Sequence, residues 1–123
     1  MRTFSIEERI NSPGVFIDEY SNMIEISGNS TLKDTNWFYS GVLRWMIALN
    51  NNTAEKKIVN VKLKNVNDSS SHWLTLIFQK LKGYNPSTSF EINCYIEGNN
   101  NRASQLAQKL QCQSGLIVNL ILV

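Results

Sequence analysis

The sequence predicts an α/β fold on a mixed β-sheet, with elements in the order βββ-α-β-α-β-α-β. Three observations carry this reading. Short β-prone runs at the start are joined by connections too brief for anything but antiparallel pairing. Later strands alternate with a period of two and are separated by segments with apolar stripes at helical period, so those strands should run parallel across helical crossovers. Finally, 123 residues of which 42% are hydrophobic and 18% charged suffice for one ordinary core and are too few for two, so residues 1–123 are expected to form one domain.

The first strand is expected within Phe4–Ile10 and the second at Val15-Phe16-Ile17, divided by Asn11-Ser12-Pro13-Gly14, whose Pro-Gly pair favours a turn. Met23–Gly28 follows as the third strand. Asp34 or Thr35 can cap a helix in which Phe38, Val42, Trp45, Met46 and Leu49 form one stripe, and Asn50-Asn51-Asn52 stops it. Lys57–Lys64 alternates as a strand whose buried face starts at Ile58 or Val59, according to register. A second helix is expected after Asp68-Ser69-Ser70, with Trp73, Leu74, Ile77, Phe78 and Leu81 facing the core and Gly83 and Asn85-Pro86 ending it. Phe90–Ile96 alternates again. Asn99-Asn100-Asn101 then leads into a third helix striped by Ala103, Leu106, Ala107 and Leu110, ended by Gly115, and Leu116–Val123 closes the sheet.

Composition excludes several classes of function. The net charge is only +2, with cations scattered from Arg2 to Lys109, so there is no footprint for nucleic acid. Cys94 and Cys112 have neither a CxxC arrangement nor enough companions for a zinc site or a disulfide framework, and are expected to be unpaired and structural, explained by burial. Acids interrupt the apolar pattern of the first residues, which is unlike a secretory signal, and the Leu116–Val123 run is far too short to span a bilayer as a helix. A cytoplasmic location with no membrane contact is expected, which leaves the Asn29, Asn51 and Asn67 glycosylation triplets unused. The glycines are dispersed, so there is no phosphate-cradling loop and no cofactor or metal is implied.

The candidate site is Val66-Asn67-Asp68-Ser69-Ser70-Ser71-His72-Trp73, a polar cluster between a buried strand and an amphipathic helix. It places hydroxyls and a carboxylate over the free N–H groups of a helix start, a location that favours negative charge. The plain structural reading is that Asp68 or Ser69 is an N-cap and the other serines are solvated. His72 is the only histidine and lacks triad partners. In the first helix, Phe38 and Trp45 fall on the core stripe. Trp37 lies off it and is a candidate partner contact, and Tyr39 is left open between core and interface.

Taken in order, Ser12-Pro13-Gly14-Val15-Phe16-Ile17-Asp18, Gly28-Asn29-Ser30, Phe38-Tyr39 with Trp45, and Asn67-Asp68-Ser69-Ser70-Ser71 resemble the landmarks of the SiaC family of bacterial regulatory phosphoproteins. The resemblance implies a STAS-like fold, similar to that of anti-sigma factor antagonists, and a switch operated by phosphorylation of a Thr at a helix start. It also implies a GHKL-type protein kinase, a PP2C-type phosphatase and a diguanylate cyclase as partners, with biofilm formation as the output.

Departures from the family pattern fall at Ser30-Thr31-Leu32-Lys33, Gly41 and His72. The most consequential is at the switch itself: gapless matching puts Asp68 where the phosphorylated Thr belongs. A carboxylate carries one charge and two oxygens against about −1.5 to −2 and three for a phosphate, so Asp68 would imitate the modified state only in part. Matching instead to the Asp-Ser-Ser of anti-sigma factor antagonists keeps Ser69 as an acceptor. The sequence therefore points to a non-enzymatic signalling protein with its switch at Asp68, Ser69 and Ser70 and partner contacts at Trp37, Tyr39 and His72. The rival is a small ligand-binding module or enzyme using Cys94, Cys112 or His72.

Overall fold

The computed structural model describes residues 3–49, 56–84 and 88–123. The expected stops at Asn50-Asn51-Asn52 and Asn85-Pro86, and the side chain of Leu49, lie outside that description. The elements are β1 (Thr3–Ile6), β2 (Gly14–Asp18), β3 (Met23–Ser30), α1 (Thr35–Leu49), β4 (Lys56–Val66), α2 (Asp68–Tyr84), β5 (Ser89–Ile96), α3 (Asn101–Ser114) and β6 (Ile117–Leu122). The first strand is shorter than Phe4–Ile10, because Glu7, Glu8 and Arg9 are all exposed and offer the sheet nothing to bury.

The six strands lie in sequence order. β1, β2 and β3 are antiparallel neighbours, and β3 through β6 pair in parallel, so the mixed α/β sheet is the one expected. Right-handed crossovers between successive neighbours place all three helices on one face. That face holds the core: Val15, Ile17, Ile24, Ile26, Val59, Val61, Leu63, Phe90, Ile92 and Cys94 point toward Val42, Met46, Leu74, Ile77, Phe78, Leu106 and Leu110. In β4 the register puts Val59, Val61 and Leu63 inward and leaves Ile58 on the outer face.

The outer face is covered by polar side chains rather than helices. Asn119 donates to Asn93 at 3.0 Å and Asn93 donates to Asn60 at 3.2 Å, a ladder across three parallel strands. Beside it Lys62 pairs with Glu25 at 2.8 Å and lies over the Tyr95 ring, while Lys56 pairs with Glu91 at 2.8 Å. Gly28 is required where β3 shifts register: its φ is 95°, and a β-carbon there would sit 2.5 Å from the Glu8 carboxyl carbon.

Two core assignments change. Trp45 sits on the helical stripe yet is 47% exposed, because among the described residues the one ring that stacks on it is Phe4 of the edge strand β1, with centroids 4.4 Å apart. Cys112 is exposed, so burial does not account for it, whereas Cys94 is buried. Among the described residues no helix is long and apolar enough to cross a membrane.

Candidate functional site

α2 begins where β4 leaves the sheet, and its capping residue is Asn67. Its Oδ1 accepts the N–H of Ser70 at 2.9 Å and its carbonyl accepts the N–H of Ser71 at 3.0 Å. The amide end is also occupied: Asn67 Nδ2 donates to the Leu32 carbonyl at 2.8 Å, and the Asn67 N–H donates to the Ser30 carbonyl at 3.0 Å. Asp68 and Ser69, read from sequence as caps, are instead the first helical residues. An aspartate or serine cap would satisfy the helix N–H but has no amide with which to hold Leu32.

This frees the Asp68 side chain. It is 94% exposed, and its carboxylate meets Arg102 Nη1 at 2.7 Å, which ties the start of α2 to the start of α3. A carboxylate at this position is favoured by the helix dipole as well. Ser69 is exposed too, with its hydroxyl donating to Asn67 Oδ1 at 3.3 Å.

Ser70 points the other way and is fully buried. Ser30 Oγ donates to Ser70 Oγ at 2.7 Å and lies 2.5 Å from the Tyr39 hydroxyl. Because Ser30 has one proton and gives it to Ser70, Tyr39 is the donor to Ser30, and the chain runs from Tyr39 through Ser30 to Ser70. Three elements, α1, β3 and α2, are thereby joined beneath the site. Burial pushes the Tyr39 hydroxyl up to about 12, so it remains a neutral donor. Tyr39 also stacks against Trp73, whose indole donates to Asn36 at 2.8 Å.

The remaining sequence candidates are dispersed. Trp37 is 78% exposed on the far side of α1, and His72 is exposed one turn into α2. Burial pushes the Cys94 thiol up to about 12, which leaves it no nucleophilic thiolate. No cluster of metal-ligating side chains occurs among the described residues. Sequence reasoning missed Asn67 as the cap, along with Ser30 and Arg102. Ser30 stands in the sequence as a landmark and at a departure from the family pattern, and nothing local announces a partner 40 residues away.

The most developed feature of this small α/β fold is a solvent-facing helix start pinned from below by buried hydroxyls. The model of the SiaC family regulatory phosphoproteins matches residues 6–122, and the chain belongs to that family. Comparison with curated protein sequences gave no match. Among solved structures the chain is similar to SiaC of Pseudomonas aeruginosa, at a TM-score of 0.85 and 14% identity, covering 100% of both chains. It is similar also to apo-SiaC from that organism, at a TM-score of 0.82 and 13% identity, over 98% of this chain and 99% of that one. A further match, at a TM-score of 0.84 and 14% identity over 98% of this chain and 99% of that one, is to the complex of diguanylate cyclase SiaD with its activator SiaC from Pseudomonas aeruginosa.

Proposed function

We propose that this protein is a non-enzymatic regulator that binds a diguanylate cyclase, and that the charge at the start of α2 sets how well it binds. Family membership supports the regulatory role, and the solved complex of the Pseudomonas relative with its cyclase supports the class of partner. The observation that carries the reading is the split at the helix start: Asp68 and Ser69 face solvent while Ser70 is buried in the hydroxyl chain. Of these two hydroxyls, Ser69 is the one open to a kinase without unfolding the helix. Asp68 supplies a standing negative charge where the family's threonine is modified, so the unmodified protein already carries part of the phosphorylated character.

A GHKL-type kinase would add the phosphate and a PP2C-type phosphatase would remove it. The enzyme alternative has less support, since Cys94 is a protonated buried thiol in β5 and His72 is exposed in α2. Incubation with the matched kinase followed by intact-mass measurement tests the acceptor. Wild type should gain one phosphate and Ser69→Ala none, with the fold intact because Asn67 still caps. Uptake by Ser69→Ala equal to wild type would remove Ser69 from the account. In Asp68→Thr a second acceptor should appear.

A further inference from the structure

Among the described residues the sheet has two edges, β1 and β6, and they are built differently. β1 is four residues long and runs into Glu7, Glu8 and Arg9, all exposed. A short strand closed off by charge is a common defence against pairing with another chain. β6 has none of these devices. It is six residues long, about 20 Å. It pairs with β5 without a register shift, and the segment Leu116–Val123 around it contains no charge and no proline.

The core face of β6 is also poorly covered. Val118, Leu120 and Leu122 register with Ile92, Cys94 and Ile96 of β5, so they share the face on which those three residues are buried. Yet Leu120 is 57% exposed and Leu122 78%. The position of α3 accounts for this. Arg102 at its start and the Gln113 carbonyl near its end are tied to Asp68 and Gln79 of α2, which holds the helix beside α2 and short of the edge. By helical period the other flank of α3 carries Ser104, Gln108 and Gln111, all uncharged.

The free backbone groups fall on the same three residues. The Val123 N–H donates to the Ile96 carbonyl at 3.0 Å. Successive residues of a strand turn their backbone groups to opposite sides, so Ile117, Asn119 and Ile121 face β5 with Val123, and the N–H and C=O groups of Val118, Leu120 and Leu122 point out of the edge. This pattern is self-complementary about a two-fold axis at Leu120. Antiparallel pairing there sets Leu120 opposite its own counterpart and Val118 opposite Leu122, which uses every one of those outward groups. On the outer face Ile117 meets Val123 and Asn119 meets Ile121, with the Asn119 amide already engaged by Asn93 and Glu91. No like charges are brought together. An axis perpendicular to the sheet keeps both sets of helices on one side, so the uncharged flanks of two antiparallel α3 helices approach above Leu120 and Leu122. A lone peptide strand would satisfy the edge but bring no helix to cover these leucines, and so a second copy is the occupant the edge fits best.

We infer that β6 is a homodimer interface, in which two copies pair antiparallel about Leu120 into one continuous sheet. α3 stands between β6 and α2, so Asp68 and Ser69 of both copies stay exposed. The test needs no partner enzyme: sedimentation velocity gives the mass of the full chain over a concentration series for wild type, Leu120→Lys, and Ser5→Lys as the matching charge on the exposed β1 edge. Wild type should be dimeric at high concentration, with a dissociation constant that rises at least tenfold in Leu120→Lys and stays unchanged in Ser5→Lys. Circular dichroism verifies folding. Register is read by cross-linking with oxidised glutathione in a Cys112→Ser background, which removes the exposed native thiol. Leu120→Cys should form a disulfide-linked dimer, because such opposed residues have Cα atoms about 5.5 Å apart, within the span of a disulfide. Val118→Cys, about 13 Å from its counterpart, should not. Monomeric wild type at every concentration, including one whose β6 is filled by a partner's strand instead, would overturn the inference. A dimer that a folded Leu120→Lys leaves intact, equal loss in Ser5→Lys, or equal cross-linking at both cysteine positions would overturn it as well.

Discussion

Helices α2 and α3 begin with the same device. In each an asparagine caps, its Oδ1 accepting the N–H of the third helical residue, Ser70 at 2.9 Å or Ala103 at 3.1 Å. In each the same side chain's Nδ2 donates to a carbonyl of an earlier segment, Leu32 at 2.8 Å or Lys64 at 2.6 Å. The two starts differ in what is added. At the third position α3 has a buried alanine in plain apolar packing, where α2 has a buried serine at the end of the Tyr39 and Ser30 chain. At the surface α2 presents Asp68 and Ser69, while α3 presents Arg102, which faces Asp68. Since α3 shows that one asparagine is enough to start a helix in this fold, the hydroxyl chain and the exposed acid of α2 exceed what folding demands. They are the features to be explained by function.

Breaking the shared device should cost most. Asn67→Ala removes the cap and also leaves the Leu32 carbonyl without its donor, so a loss of about 2 kcal/mol is expected, from about 1 for a cap and about 1 for the partly buried bond. Asn100→Ala, whose cap is equally part-buried but whose tie to the Lys64 carbonyl is exposed, should lose about 1 kcal/mol. Chemical denaturation of both variants measures the difference, and equal losses would show that the part-buried tie to Leu32 adds no more than the exposed tie to Lys64.

The hydroxyl chain comes next. Tyr39→Phe removes one hydrogen bond to Ser30 and should cost about 1 kcal/mol near neutral pH. Its pH signature is more specific. The Tyr39 hydroxyl is raised from 10.0 to about 12 by burial, so the folded state keeps a proton that the unfolded chain has lost. The stability it contributes is present below pH 10 and falls as the pH rises toward 12, by on the order of 2–3 kcal/mol. Cys94, raised from 9.0 to about 12, adds a loss over pH 9–12. Denaturation midpoints across this range should fall less steeply in Tyr39→Phe than in wild type, and parallel curves would contradict the assigned role.

The smallest effect is expected at the bridge between the two helix starts. Asp68 and Arg102 are largely exposed, and such pairs contribute about 0–1 kcal/mol, so Arg102→Ala should hardly change stability. If Arg102 steadies the charge of a phosphate added at Ser69, the variant should show its effect after phosphorylation, as a larger loss of stability in the modified protein than in the unmodified one.

Much of the scaffold was legible because its signals are periodic and local. The stripe of Ala103, Leu106, Ala107 and Leu110 is buried as read, and the alternation of β4 and β5 places their apolar faces inward. Asp34, one of two proposed caps for α1, accepts the N–H of Trp37 at 3.2 Å. At α2 the same reasoning had less to work with. Asn67-Asp68-Ser69-Ser70-Ser71 is five cap-competent residues in a row, and the choice among them is made by Leu32, a contact 35 residues away. Tyr39 was ambiguous for the same reason: its hydroxyl is buried only because Ser30 and Ser70 meet it there. Trp45 obeys the helical period but stands over the sheet edge, where the period alone cannot supply neighbours.

The central claim, that charge at the exposed start of α2 sets partner affinity, is most directly tested by titrating the diguanylate cyclase from the same genome with wild type and Asp68→Thr, both unphosphorylated, with Asp68→Glu as the charge-preserving control. The account predicts several-fold tighter binding for Asp68→Thr, because a neutral side chain removes the partial likeness to the phosphorylated state, and little change for Asp68→Glu. Equal or weaker binding by a well-folded Asp68→Thr would contradict it.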